Sequence, residues 1–167
     1  IAAGAPAAEL AALIANRKHL VFEGLQAYHG SAQHFRTLDE RRAAIAGAVD
    51  AVQRTQAELA RMGLEARTVA GAGTGTFEIE SASGVYNELQ PGSYVFMDAD
   101  YARNKKADGG PFDTFEHALF VAATVMSAPA PERCVVDAGH KALPIDSGMP
   151  GVWARPGISY GRPSDEH

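Results

Sequence analysis

"VAGAGTGTFEIE", residues 69–80, decides how the chain is read. A β-branched stretch runs straight into Gly71, Gly73, Thr74, Gly75 and Thr76. Such a loop carries bare backbone N–H groups and two hydroxyls, which suit a phosphate and equally suit an ordinary tight turn. No Gly-Lys-Ser/Thr follows, so it is not a P-loop, and the glycine spacing does not match the dinucleotide fingerprint. A strand that ends in a row of N–H donors still makes an anion nest. A short helix over 77–83 would add its positive N-terminal end. Spacing alone leaves both readings open.

Working outward, residues 64–70 read as the strand that feeds this loop. Before it, "TLDERRAAIAGAVDAVQRTQAELARMG" (37–63) reads as a long helix. Thr37 and Glu40 form a capping box; Ile45, Val49, Val52 and Leu59 make an apolar stripe, and Gly63 is a natural stop. "LVFEGLQAY" (20–28) reads as a buried strand followed by a polar loop, "HGSAQHFR". Residues 7–16 read as an amphipathic helix with Leu10, Leu13 and Ile14 on its apolar side. After the glycine loop, "YVFMD" (94–98) reads as another strand. Strand, helix, strand, glycine loop, strand is the grammar of parallel βα units, whose binding loops lie at the carboxyl ends of the strands. The loops at Tyr28–His29, at 71–76 and at 98–101 are therefore expected on one face, with the N–H groups of residues 73–76 turned into it. Past "NKKADGGPFDT" (104–114) the pattern becomes all-β, in "FEHALFVAATVMS" and "RCVVDAGHKAL", which places a domain boundary near Pro111. The fold class expected is α/β followed by β.

The bulk numbers exclude several roles. The chain has 167 residues, 46% of them apolar, enough for a packed core. A net charge of −5 argues against a nucleic-acid surface. No apolar run reaches the length of a membrane span. The start has neither an initiator Met nor a signal-peptide pattern, and Cys134 stands alone, so there is no disulfide framework. A soluble cytoplasmic protein is the expectation.

Among chemistry-bearing residues, Gln26 and Tyr28 alternate onto one side of their strand. Tyr28 reads either as a cofactor neighbour or as a core tyrosine. His29 and His34 read as loop histidines rather than metal ligands. His140 and Lys141 read as a solvated strand end. Lys18, Lys105 and Lys106 lack the apolar surroundings that lower a lysine's pKa. The terminal "SDEH" is either half of a metal site or a polar tail.

Four stretches taken together, "GLQAYHGSAQHFRT", "GAGTGTFEIESASGVYNELQPGSYVFMDADY", "VMSAPAPERCVVDAGHKALPIDSGMP" and "SDEH", resemble the D-threonine aldolase and D-3-hydroxyaspartate aldolase group, relatives of the eukaryotic-type D-serine dehydratases. The resemblance runs from about residue 21 to 167. It implies a pyridoxal 5'-phosphate enzyme of alanine-racemase type, a (β/α)8 barrel followed by a β-domain. Residues 1–110 would be the C-terminal part of the barrel and 111–167 the start of the β-domain, so that the chain is a fragment, inactive alone, with the Schiff-base lysine upstream of Ile1. The resemblance carries Gly73, Thr74 and Gly75 onto the phosphate-cradling loop. Gln26 and Tyr28 fall beside the cofactor, and Gly92 and Ser93 on a second loop reaching the phosphate. His167 matches the first ligand of a divalent metal (Mn2+, Mg2+ or Zn2+), whose second ligand would follow two residues on. Ala72 stands where a glycine is usual, tolerable provided its φ is negative. The implied reaction is cleavage of a D-β-hydroxy amino acid, D-threonine or D-3-hydroxyaspartate, to glycine and an aldehyde. The alternatives are D-serine dehydratase-type β-elimination and a non-catalytic pyridoxal-phosphate-binding barrel. The partner expected is a small-molecule D-amino acid, with no nucleic acid and no membrane, and a homodimer of the full-length protein.

Overall fold

A computed structural model describes residues 1–166. The chain from Ile1 to about Asn104 builds three parallel strands and three helices. The strands β1 (Gly24–Gln26), β2 (Thr68–Gly71) and β3 (Glu88–Leu89) lie in chain order. Gly24 pairs with Thr68 and Gln26 with Ala70, while Gly71 pairs with Leu89. Gly24 is glycine because a Cβ there would run into the Thr68 carbonyl.

The helix α2 (Leu38–Arg61) crosses from β1 to β2. Its start is the expected capping box: the Thr37 hydroxyl accepts from Glu40 N, and the Glu40 carboxylate accepts from Thr37 N. Its end is the expected glycine, with Gly63 at φ 72°. Ile45, Val52 and Leu59, seven residues apart, are buried. Leu59 packs with Ala8 and Ala11 of the helix α1 (Ala5–Ala15), and Val52 packs with Val69 and Tyr86. Fully burying a side chain of this size contributes about 1.5–3 kcal/mol. The helix α3 (Phe77–Ala82) follows the glycine loop, as the sequence suggested.

Four expectations are corrected. The strand read over 20–28 shrinks to Gly24–Gln26, with Leu20 and Val21 exposed, because β2 offers partners only from Thr68 onward. On α1 the packed face is Ala8 and Ala11, while Leu10 and Leu13 point outward; the small side chains let the helix approach Leu59 closely. The strand read over 94–98 is a 3-10 helix, Ser93–Phe96. β3 has already ended before Pro91, which has no N–H for a ladder, and the chain then turns back over the glycine loop. The polar loop after Tyr28 contains a second 3-10 helix, Ser31–His34, with Ala32 and Gln33 fully buried.

Beyond Pro111 one antiparallel hairpin forms, β4 (Val125–Ala130) with β5 (Arg133–Val136). Residues 115–124, expected to be strand, carry no strand assignment. Phe112 joins a cluster with Met97 and Tyr101, against which Phe77 and Phe115 pack. Arg103, in the 3-10 helix Tyr101–Arg103, donates to the Ser147 and Met149 carbonyls. Among the described residues no helix is long and apolar enough to cross a membrane.

Candidate functional site

Tyr28, the glycine loop and Ser93 all follow the carboxyl ends of three parallel strands, so they share one end of the sheet. The loops are tied together directly. Thr74 Oγ1 accepts from Tyr94 N at 2.9 Å, which docks the Ser93–Phe96 turn onto the glycine loop. The buried Tyr101 phenol lies near Ser93 and Tyr28. Burial, more than these neighbours, raises the Tyr101 pKa, so the group keeps its proton at neutral pH. Tyr28 itself is 50% exposed, at the open surface of this end. Gln26 turns aside and donates to Gln90 Oε1 at 2.8 Å.

The loop's donors divide into two sets. Gly75 N donates inward to Gln33 Oε1 at 2.9 Å. Thr76 N and Phe77 N both donate to the Gly73 carbonyl, at 3.1 and 3.0 Å. The expectation that residues 73–76 all turn their N–H groups into the cleft is therefore corrected: Gly75 N is spent on Gln33, and Thr76 N and the first donor of α3 are spent on the Gly73 carbonyl. The N–H groups of Ala72, Gly73 and Thr74 donate to no protein acceptor among the described residues. Ala72 has φ 69°, the left-handed region, not the negative φ expected for an alanine there. A left-handed residue within a run of free N–H groups is one of the backbone arrangements from which anion nests are built. That row of free donors fits a phosphate.

Under the loop lies a polar network that no sequence pattern announced. Gln33 Nε2 donates to Thr76 Oγ1 at 2.8 Å, and Thr76 Oγ1 donates to Glu80 Oε1 at 2.7 Å. Glu80 is buried, and its Oε2 has no hydrogen-bond partner. Burial raises the Glu80 pKa, against the lowering effect of the Thr76 hydroxyl. Beside the network, Asn104 Nδ2 donates to the Gln33 carbonyl, and Asn104 Oδ1 accepts from Arg36. Asp100 accepts from Arg36 Nη2 at 2.6 Å and pairs with His34 Nδ1 at 2.7 Å. A spacing of 66 or 71 residues between partners leaves no local signal, so only the fold reveals these pairs.

The remaining candidates stay at the periphery. His29 Nδ1 accepts from Ala32 N, which makes it a turn residue. Lys106 pairs with Asp113, and Lys141 donates to the Glu166 carbonyl. His140 N donates to the Ser164 carbonyl, so the 139–141 turn lies beside the "SDEH" stretch. His167 lies outside the described residues. Among the described residues no group of three or more His, Cys, Asp or Glu is placed to hold a metal ion.

Comparison with known proteins gives relatives that this chain matches over part of their length. Residues 118–167 match the family described as "Putative serine dehydratase domain". A D-threonine aldolase from an Arthrobacter species is 48% identical over 87% of this chain and 38% of its own length. A 3-hydroxy-D-aspartate aldolase from Paracoccus denitrificans is 45% identical over 95% of this chain and 42% of its own. The crystal structure of D-threonine aldolase from Filomicrobium marinum superposes with a TM-score of 0.90, at 55% identity, over 98% of this chain and 43% of that one. Over the stretch it spans, the chain is similar to these aldolases. The chain thus spans about two fifths of the aldolases it matches.

Proposed function

We propose that the protein at its full coding length is a pyridoxal 5'-phosphate-dependent, divalent-metal-assisted aldolase that cleaves D-β-hydroxy amino acids to glycine and an aldehyde. The single observation that carries the reading is the row of free N–H groups at Ala72, Gly73 and Thr74, at the strand end where Tyr28 and Ser93 also stand. The three parallel strands are read as the last part of a (β/α)8 barrel, and the chain beyond Pro111 as the start of its β-domain.

Each residue then has a task. Ala72, Gly73 and Thr74 hold the phosphate by backbone donors, and Gly92 and Ser93 close on it from the second loop. Tyr28 covers the open side. Tyr101 stays protonated beside Ser93. Gln26, bonded to Gln90, supports the strand end from the side. Gly75 supports the loop from within rather than by touching phosphate. When bound, the cofactor draws electron density from the substrate's Cα and so labilises its bonds. A divalent ion lowers the pKa of the substrate's β-hydroxyl. By the family resemblance His167 is one ligand of that ion.

The test is turnover by the full-length protein with pyridoxal phosphate and Mn2+. Glycine with acetaldehyde from D-threonine, or with glyoxylate from D-3-hydroxyaspartate, supports the reading. L-isomers should be inert. Chelation and His167→Ala should each abolish most turnover while leaving cofactor absorbance in place. Ammonia and a keto acid from D-serine without glycine would establish the dehydratase instead. Bound cofactor with no turnover of any of these would leave a binding protein.

A further inference from the structure

We propose that Gln33 is a positioning residue that sets which backbone donors of the glycine loop meet an anion; this rests on the phosphate reading above. Gln33 is fully buried in the 3-10 helix Ser31–His34, and both ends of its amide are committed. The Gly75 N–H can only donate, so Gln33 Oε1 must face it. Nε2 must then donate to Thr76 Oγ1, and the Thr76 hydroxyl proton is left for Glu80 Oε1. The direction of every bond in the chain Gly75–Gln33–Thr76–Glu80 follows from that first N–H.

The glycines of the loop answer to the same residue. A Cβ on Gly73 would lie 2.5 Å from Gln33 Cδ, and one on Gly75 would lie 2.8 Å from the Gln33 carbonyl oxygen and 3.1 Å from Asn104 Nδ2. Positions 73 and 75 are therefore glycine because Gln33 presses against the loop from behind, whatever binds in front. Asn104, bonded to the Gln33 carbonyl and to Arg36, holds the pressing turn in place. With Gly75 turned inward, and Thr76 N closed on the Gly73 carbonyl, the free donors are those of residues 72–74. Removing the Gln33 amide would orphan the Gly75 N–H inside the protein and leave the Thr76 hydroxyl, still donating to Glu80, without the donor it accepts from. Leaving such groups unpaired costs enough to make the loop rearrange.

The experiment measures dissociation constants of the full-length protein for pyridoxal 5'-phosphate and for pyridoxal, which lacks the phosphate. Gln33→Leu should weaken pyridoxal phosphate by about tenfold or more, equivalent to about 1.4 kcal/mol, and leave pyridoxal unchanged. Thr76→Val, which removes the hydroxyl at nearly constant shape, should act in the same direction, and Thr76→Ser should restore the affinity. If Gln33→Leu fails to fold, the Thr76 pair decides alone. Equal weakening of both ligands, or none, overturns the proposal, since a merely structural role does not single out the phosphate. A wild-type protein that binds the two ligands equally overturns the phosphate reading itself, and the proposal with it.

Discussion

Gly73 and Glu80 show how much of the site rests on single atoms. Gly73→Ala would put a methyl into Gln33 and break its bonds to Gly75 and Thr76. The expected loss is about 2–3 kcal/mol, from overpacking and orphaned donors together, read as a lowered midpoint in urea. Glu80 has a pKa raised above its ordinary 4.5. A carboxyl raised on folding binds its proton more tightly in the native state, so its contribution is full below the unfolded value and is lost as pH rises through the folded one. Glu80→Gln removes that dependence. The stability of the variant relative to wild type should therefore improve between about pH 4.5 and neutrality; a difference that stays flat across this range contradicts a buried, proton-holding Glu80. Sequence reading found the loop because glycines announce themselves. It could not find Gln33, whose partners Gly75 and Thr76 lie more than forty residues away, nor the burial of Glu80, which its neighbour Thr76 does not announce. It also gave the glycines to the anion in front, when the atoms a Cβ would strike belong to the turn behind.

At the scale of elements, what was legible is what short-range chemistry fixes. The capping box at Thr37, the seven-residue apolar stripe and the stop at Gly63 each involve neighbours a few residues apart, and α2 formed as read. Thr37→Ala should cost about 1 kcal/mol through the lost cap, visible as a lower thermal midpoint with the same spectrum. What failed were elements whose state is decided by partners. Residues 20–22 have strand-like side chains but no strand partner, since β2 begins only at Thr68, whose N–H reaches back no further than the Glu23 carbonyl. Residues 93–96 have Tyr, Val and Phe, yet the Tyr94 N–H goes to the Thr74 hydroxyl, which holds them as a turn over the loop. The face of α1 was misjudged for the same reason: Leu10 and Leu13 have the greater hydrophobicity, but Leu59 meets Ala8 and Ala11.

Over the molecule as a whole, Asp100 links the two halves of the described chain. It gathers His34 and Arg36 from the turn after β1 and Arg103, which also holds the 147 and 149 carbonyls. Desolvation pulls the Asp100 pKa upward, but the hydrogen bonds and charges of Arg36 and His34 together outweigh it and hold the carboxyl below its ordinary 3.8. A lowered carboxyl contributes stability above its unfolded pKa and loses it as pH falls through the folded value. Asp100→Asn should thus cost about 2 kcal/mol at neutral pH, a modest figure for a buried carboxylate because its partners are partly exposed. The deficit should shrink as pH falls below about 4. The hub also bears on the site, because Arg36 holds Asn104, Asn104 holds the Gln33 turn, and that turn backs the glycine loop. The most direct measurement is a crystal structure of the full-length protein with pyridoxal 5'-phosphate. The phosphate oxygens should lie within about 3.2 Å of the Gly73 and Thr74 nitrogens, with the Gly75 N–H still on Gln33. A phosphate bound elsewhere, or a loop that turns Gly75 outward to meet it, would contradict the account.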